Sequence, residues 1–336
     1  MIQGYARAQR RVRLRWWLLA LALLGGSGCE WHVGGEPRPA AVIMLGARVG
    51  PGAALGVDDE GRLWVAAGDS LRVMDAASGQ LLASAAIGAA GPLHLMGGQG
   101  EGEGMYLRAG ERLLALDGAT GEPRAEREVP ATHVLTLDPR GRHVYEGMVS
   151  GTVYGLDPRT LEPRWAWPRL GRDATALASS PEGDRLYLAL REPAEAGAGT
   201  TRVLTRDVQT GRVLAETPLP FSVQSLAADA AGTVYALLGD DAGGLVAALR
   251  PGGDGLRVQW QRPLLSLGLA EPAELRVAPS GDRLALFTRD RERGLQLLDA
   301  RTGEPLGRLG EGPLDAASGA DGVLYLLYEE EIRILR

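Results

Sequence analysis

Four five-residue stretches decide how this chain reads: Asp75-Ala76-Ala77-Ser78-Gly79, Asp117-Gly118-Ala119-Thr120-Gly121, Asp207-Val208-Gln209-Thr210-Gly211 and Asp299-Ala300-Arg301-Thr302-Gly303. In each, the Asp and the Ser or Thr three residues later can hydrogen-bond the backbone of their own turn, and the Gly supplies a positive φ. A copy degraded at its last position, Asp157-Pro158-Arg159-Thr160-Leu161, lies between the second and third. Successive Asp residues are separated by 42, 40 and 50 residues and then by 92, twice the interval. The missing copy belongs near 250–255, where Pro251-Gly252-Gly253-Asp254-Gly255 supplies a turn. Self-similarity at this period is the mark of a repeat architecture.

Working outward, a second column accompanies the first. Gly61, Gly141, Gly183, Gly232, Gly281 and Gly322 each close a turn and precede an apolar run, such as Arg185-Leu186-Tyr187-Leu188 after Gly183. Six residues before these glycines stand Leu55, Leu135, Leu177, Leu226, Leu275 and Ala316. Each unit thus reads as short strands punctuated by turns, the pattern of antiparallel β structure. Four strands in about 45 residues make a propeller blade. The predicted fold is all-β, a seven-bladed β-propeller over residues 40–336. The last unit, from Leu314 onward, has room for three strands, and the spare apolar run Ala40–Leu45 is expected to complete it from the N-terminal side. That closure removes an exposed sheet edge.

The N-terminus reads as a targeting segment. Arg7, Arg10, Arg11, Arg13 and Arg15 precede the apolar run Trp16–Leu24 and the small residues Gly25-Gly26-Ser27-Gly28, ahead of Cys29. This is a secretory signal over 1–28, with a run too short to span a bilayer. Cys29, the single cysteine, stands where a bacterial lipobox places its acylated residue, and 29–39 reads as a lipidated tether. Glu30, rather than Asp, after the cysteine favours the outer over the inner membrane. Residues 29–336 then carry 31 Arg against 42 acidic residues, a net charge of −11. Such acidity argues against nucleic acid as a partner and leaves membrane attachment to the acyl chain.

The repeated Asp-x-x-Thr-Gly, the Gly-x-Leu-Tyr-type second strand and the tryptophans of Trp165-Ala166-Trp167 and Gln259-Trp260 resemble the PQQ-like and YVTN-type bacterial β-propellers. The resemblance covers nearly all of 40–336 and is specific for fold. Quinoprotein alcohol dehydrogenases of this kind hold their quinone beside a vicinal disulfide and a calcium ligated by Asn. With one Cys, no Asn and no Cys-x-x-Cys-His motif in the chain, no cofactor is expected. The resemblance leaves a non-catalytic scaffold as the first reading. The second is a non-catalytic propeller subunit or sensor beside a periplasmic amine dehydrogenase-type oxidoreductase, and the third a lactonase-like hydrolase. The propeller lipoprotein of the outer-membrane β-barrel assembly machine shares the lipobox and the repeats but has eight blades.

No catalytic residues or metal ligands are assigned. The four histidines, His32, His94, His133 and His143, lack the spacing of a metal site, and a hairpin about Pro139-Arg140 is expected to set His143 opposite Thr136. The run Gly97–Gly104 reads as an enlarged turn in blade 2. Arg276 is the one long charged residue in a column otherwise made of Gly56, Thr136, Ala178, Ala227 and Ala317, and is the candidate ligand-binding residue of the central channel. The loops joining second to third strands in blades 4 to 7 form a candidate docking rim for other envelope proteins. It comprises Glu192, Glu195, Asp240, Asp241, Arg289, Asp290, Arg291, Glu292, Arg293, Glu329 and Glu330.

Overall fold

The computed structural model describes residues 39–88, 93–97, 104–168, 170–192, 200–240, 243–253, 255–269, 274–278, 281–287, 294–319 and 322–335. Among them the strands form seven four-stranded antiparallel sheets. Blades 1 to 6 span 54–86, 93–128, 134–167, 174–219, 222–263 and 274–309, each with its strands in chain order from the axis outward. Blade 7 takes three strands from the C-terminus, Asp315–Ser318, Leu324–Leu327 and Glu331–Leu335, and its fourth, Ala41–Met44, from the N-terminus. Ala41 lies opposite Ile334 and Met44 opposite Glu331, so the closure expected from the spare apolar run is present. The innermost strands touch one another in succession, and those of blades 7 and 1 meet, completing the ring.

The apolar core is divided among the gaps between blades. One cluster joins Trp64, Leu71 and Val73 of blade 1 to Met105, Leu107 and Leu114 of blade 2. Another joins Leu63 and Val65 of blade 1 to Tyr325, Ile332 and Ile334 of blade 7. Because both faces of a blade are covered, its second strand is apolar without alternation. Leu186-Tyr187-Leu188-Ala189-Leu190 is buried throughout. The outermost strands face water and alternate instead, as in the half-exposed Pro123–Glu128.

The quoted stretches do in space what their chemistry dictates. Asp75 Oδ1 accepts hydrogen bonds from Ser78 N at 2.7 Å and Ser78 Oγ at 2.6 Å, and Gly79 N donates to Asp75 O at 2.8 Å. Gly79 has φ 72°. Asp207 with Thr210 and Asp299 with Thr302 repeat the arrangement. These turns also dock each blade onto its predecessor. A Cβ on Gly211 would lie 2.6 Å from Trp167 Nε1, and one on Gly303 would lie 2.6 Å from Trp260 Cε3. Trp167 and Trp260, two of the tryptophans singled out in the sequence, are thus the wedges between blades 3 and 4 and between blades 5 and 6.

Blade 3 solves the same problem differently. Leu161 takes the glycine's place at φ 59° and buries its own side chain, 1% exposed, against Tyr106, Leu113 and Val129 of blade 2. Its left-handed backbone costs about 1–2 kcal/mol, while removing the buried side chain costs about 2–5 kcal/mol. Leu161→Ala is therefore expected to lose about 3 kcal/mol in urea denaturation. Leu161→Gly is expected to be no worse, although at an ordinary φ Gly would be about 1 kcal/mol poorer than Ala.

One register expectation is corrected. His143 does not face Thr136: Thr136 is opposite Tyr145, and His143 faces Asp138, whose N–H donates to His143 O at 3.0 Å. The turn is centred one residue later than Pro139-Arg140. Asp138 Oδ1 accepts from Arg140 N at 3.0 Å, Gly141 N donates to Asp138 O at 2.9 Å, and Gly141 takes φ 68°. With Asp138 paired to His143, the four residues Pro139–Arg142 form the loop, two more than in a two-residue hairpin.

Candidate functional site

The channel wall is built from the innermost strands, whose small side chains admit the backbones of neighbouring blades to one another. A cavity of about 160 Å³ opens there, lined by Gly56, Leu95, Gly97, Arg276, Ala317 and Ser318 among others. A Cβ on Gly97 would lie 2.5 Å from Val57 O, so this stretch of wall requires glycine. Arg276 stands in this lining, its side chain 31% exposed.

Two carboxylates of the chain itself meet the Arg276 guanidinium. Arg276 Nη2 lies 2.6 Å from Glu274 Oε2 and 3.2 Å from Asp315 Oδ1, and Nε donates to Ala316 O at 3.1 Å. Asp315 in turn accepts from Ala316 N at 2.8 Å and, through Oδ2, from Leu55 N at 2.9 Å. One buried carboxylate thereby touches blades 6, 7 and 1 at the seam where the ring closes. Burial would lower the Arg276 pKa, but the Glu274 and Asp315 charges hold it above its ordinary value. Asp315 is pushed up to about 6, by burial first and by the Glu274 charge, against the opposing pull of Arg276 and the two backbone donors.

A folded-state pKa of about 6, above the ordinary 3.8, means that the folded protein takes up a proton the unfolded chain releases. Stability from this group rises as pH falls through about 6 and levels off below about 4. Wild-type stability is expected to gain on the order of 1 kcal/mol relative to Asp315→Asn between pH 7.5 and pH 5. The difference between the two proteins isolates the group from His143, whose pKa burial lowers and which acts with opposite sign in the same window. Guanidinium denaturation at the two pH values measures it.

The docking-rim residues are distributed as follows. The 191–202, 239–244, 287–295 and 327–331 connections all join second to third strands, and so open at the same end of the ring. Glu192 is paired with Arg202 of its own blade at 2.7 Å and with Arg172, in the connection leading into that blade, at 3.3 Å. Glu329 pairs with Arg48, which is 70% exposed, and Glu330 is exposed. Asp240 ends the second strand of blade 5. Glu195, Asp241, Arg289, Asp290, Arg291, Glu292 and Arg293 lie outside the described residues, as do Cys29 and His32.

His133 is buried with its Nδ1 2.8 Å from Glu146 Oε1, and Glu146 also holds Arg127 at 3.0 Å. His143 packs edge-on to Trp165 at 5.8 Å, beside the stacked pair Trp165–Trp167, whose ring centroids are 4.9 Å apart. These rings line a groove of about 360 Å³ between blades 3 and 4. Among the described residues no three of His, Cys, Asp and Glu are placed to share a metal ion. No helix among them is long and apolar enough to cross a membrane.

Sequence reading missed three residues that matter here. Glu274 was within reach of it, since a residue two places before Arg276 in a strand shares its face. Asp315 was not, being 39 positions away and brought in by the ring alone. The third is Asp58, which holds Arg62 N at 2.8 Å and Trp64 Nε1 at 2.8 Å. Its signal was an Asp three residues before the turn glycine, repeated at Asp138 and Asp229.

Repeats, blade docking and ring closure together define a PQQ-like β-propeller. Residues 67–306 match the family model described as outer membrane protein assembly factor BamB, and the chain belongs to that family. The fold is shared with the β-propeller domain of Cps50 (Swd1) from Myceliophteria thermophila, at 13% identity over 89% of this chain and 99% of that one, TM-score 0.68. A chain of the Kuenenia stuttgartiensis hydrazine synthase is 15% identical over 93% and 99%, TM-score 0.65. A chain of a mitotic checkpoint complex is 11% identical over 93% and 99%, TM-score 0.64. At these identities the likeness is one of fold. No curated protein matches the chain.

Proposed function

We propose that this chain is a cell-envelope lipoprotein, acylated at Cys29, whose propeller docks other envelope proteins and catalyses nothing. The observation that carries the reading is the match of 67–306 to the family of an outer-membrane protein assembly factor. The lipobox-like position of Cys29, directly after Gly25–Gly28, supports the anchor, and Glu30 supports the outer membrane as its site. The second-to-third-strand loops of blades 4 to 7 supply the docking face, because loops on a rigid scaffold can vary without cost to the core. A propeller suits this role: the ring holds several loops at fixed separation, and a partner contacting two blades meets a preorganised surface.

The test is a crosslinking pulldown of the full-length protein from its native envelope, with Cys29→Ser as control. Recovery of outer-membrane assembly proteins, lost in the control, is the expected result. Recovery of a small quinone- or haem-bearing protein in their place would move the chain to a redox-subunit role. Turnover by the purified chain alone would overturn the scaffold reading.

A further inference from the structure

Each blade ends in an outermost strand with an open edge, and natural sheets guard such edges with proline, charge or brevity. Blades 2 to 6 follow the rule: Pro123 and Arg124, Pro163 and Arg164, Glu216 and Pro218, Arg262 and Pro263, Pro305 and Arg308 lie in their outer strands. Blade 7 ends in only four residues, Ala41–Met44, preceded by Pro39. Among the described residues, blade 1 has no guard. Its outer strand reads Leu81-Leu82-Ala83-Ser84-Ala85-Ala86, without proline or charge, and Leu81 and Leu82 are 54% and 51% exposed.

Among the described residues, the backbone edge of that strand is open as well. Ile87 N donates inward to Asp69 O at 2.8 Å. Ala86 lies opposite Ser70 and Ser84 opposite Arg72, so antiparallel alternation turns the N–H and C=O of Ser84 and Ala86 outward. A partner that satisfies both the apolar side chains and the outward backbone must itself be a strand.

We propose that the partner is the same strand of a second copy of this chain, paired antiparallel about a two-fold axis through Ser84. The rotation sets Ser84 against Ser84, Leu82 against Ala86 and Ala83 against Ala85. Leu82 meets an alanine on each side of the axis, Leu81 comes opposite Ile87 of the other copy, and no charge meets its like. This is the self-complementarity an isologous contact requires. The neighbouring outer strand of blade 7 broadens the apolar contact with Val42 and Met44, 45% and 63% exposed. It lies alongside because Ile43 packs against the Gly79 turn of blade 1. The chain is acidic, so the contact strengthens as salt screens repulsion between copies.

Sedimentation velocity on residues 29–336 carrying Cys29→Ser, which lack both the acyl chain and the apolar run Trp16–Leu24, tests this. One short strand pair predicts a reversible dimer with a Kd of roughly 10–100 µM, tighter in high salt. Ser84→Lys places two ammonium groups across the axis and is expected to leave a monomer at every concentration with an unchanged melting temperature. Leu306→Lys, on the exposed edge of blade 6, is expected to dimerise as before. In the same background Ser84→Cys is expected to oxidise to a disulfide dimer, because facing residues at that position fall within bridging distance. A chain that stays monomeric throughout, or a dimer indifferent to Ser84→Lys, overturns the proposal, whether or not the edge later captures a foreign peptide.

Discussion

Gly303→Ala is expected to destabilise the protein by about 3 kcal/mol, the sum of two separable penalties. The backbone at Gly303 has φ 70°, where an L side chain is strained by about 1–2 kcal/mol. The new Cβ also arrives 2.6 Å from Trp260 Cε3 and 2.8 Å from Cδ2. That ring cannot swing aside freely, because its Nε1 donates to Ala300 O at 3.0 Å. Wedging a methyl group into a filled interface costs a further 1–3 kcal/mol or so. Gly61→Ala is the control, since Gly61 has φ 74° but open space where its Cβ would stand. It is expected to lose only about 1 kcal/mol. Urea midpoints of the two variants separate clash from strain. Equal losses would show that the turn-on-tryptophan contact does not hold blades 5 and 6 together.

Ile43→Asp is expected to cost more, about 4–5 kcal/mol, and to lower the melting temperature by roughly 10 °C. Ile43 is 7% exposed, faces Ile332 across the closing pair and packs on the Gly79 turn. A carboxylate there is buried in the apolar cluster that Ile43 shares with Leu63, Val65 and Ile332, and the alternative of detaching the strand reopens the edge of blade 7. Val42, on the other face of the same strand, is 45% exposed, and Val42→Asp is expected to stay within about 1 kcal/mol of wild type. Differential scanning calorimetry compares them. Similar melting curves would mean that the ring stands without its N-terminal strand.

The repeats were legible in the sequence because their chemistry is local. An Asp that accepts from Ser or Thr three residues later, and a glycine beyond it at positive φ, perform the same task in any context. The blade count followed from spacing. What local chemistry does not encode is whether a loop holds two residues or four, and so the register around Asp138–His143 was misjudged. Leu161 shows the other limit. It looked like a decayed glycine, whereas the structure gives it a packing task that its side chain alone can perform.

Of the channel site, Arg276 was legible as an odd member of a column of small residues, since every aligned position faces the same axis. Its partner Asp315 was not, because 39 intervening residues meet it through ring geometry alone. The rim was legible as a set of loops between second and third strands. Glu192, one of its candidate residues, is committed to Arg202 in its own blade and to Arg172 in the connection before it.

The seam of blade 7 has a bearing on biosynthesis. The strand that closes it is synthesised before every other strand of the ring, and the one it must pair with after all of them. Until Glu331–Leu335 has emerged, Ala41–Met44 has no mate, and every shortened product is a broken ring with an apolar edge at each end. An edge of this kind invites pairing with other chains, so the closing pair acts as a proofreader: only a chain translated through Leu335 can hide both.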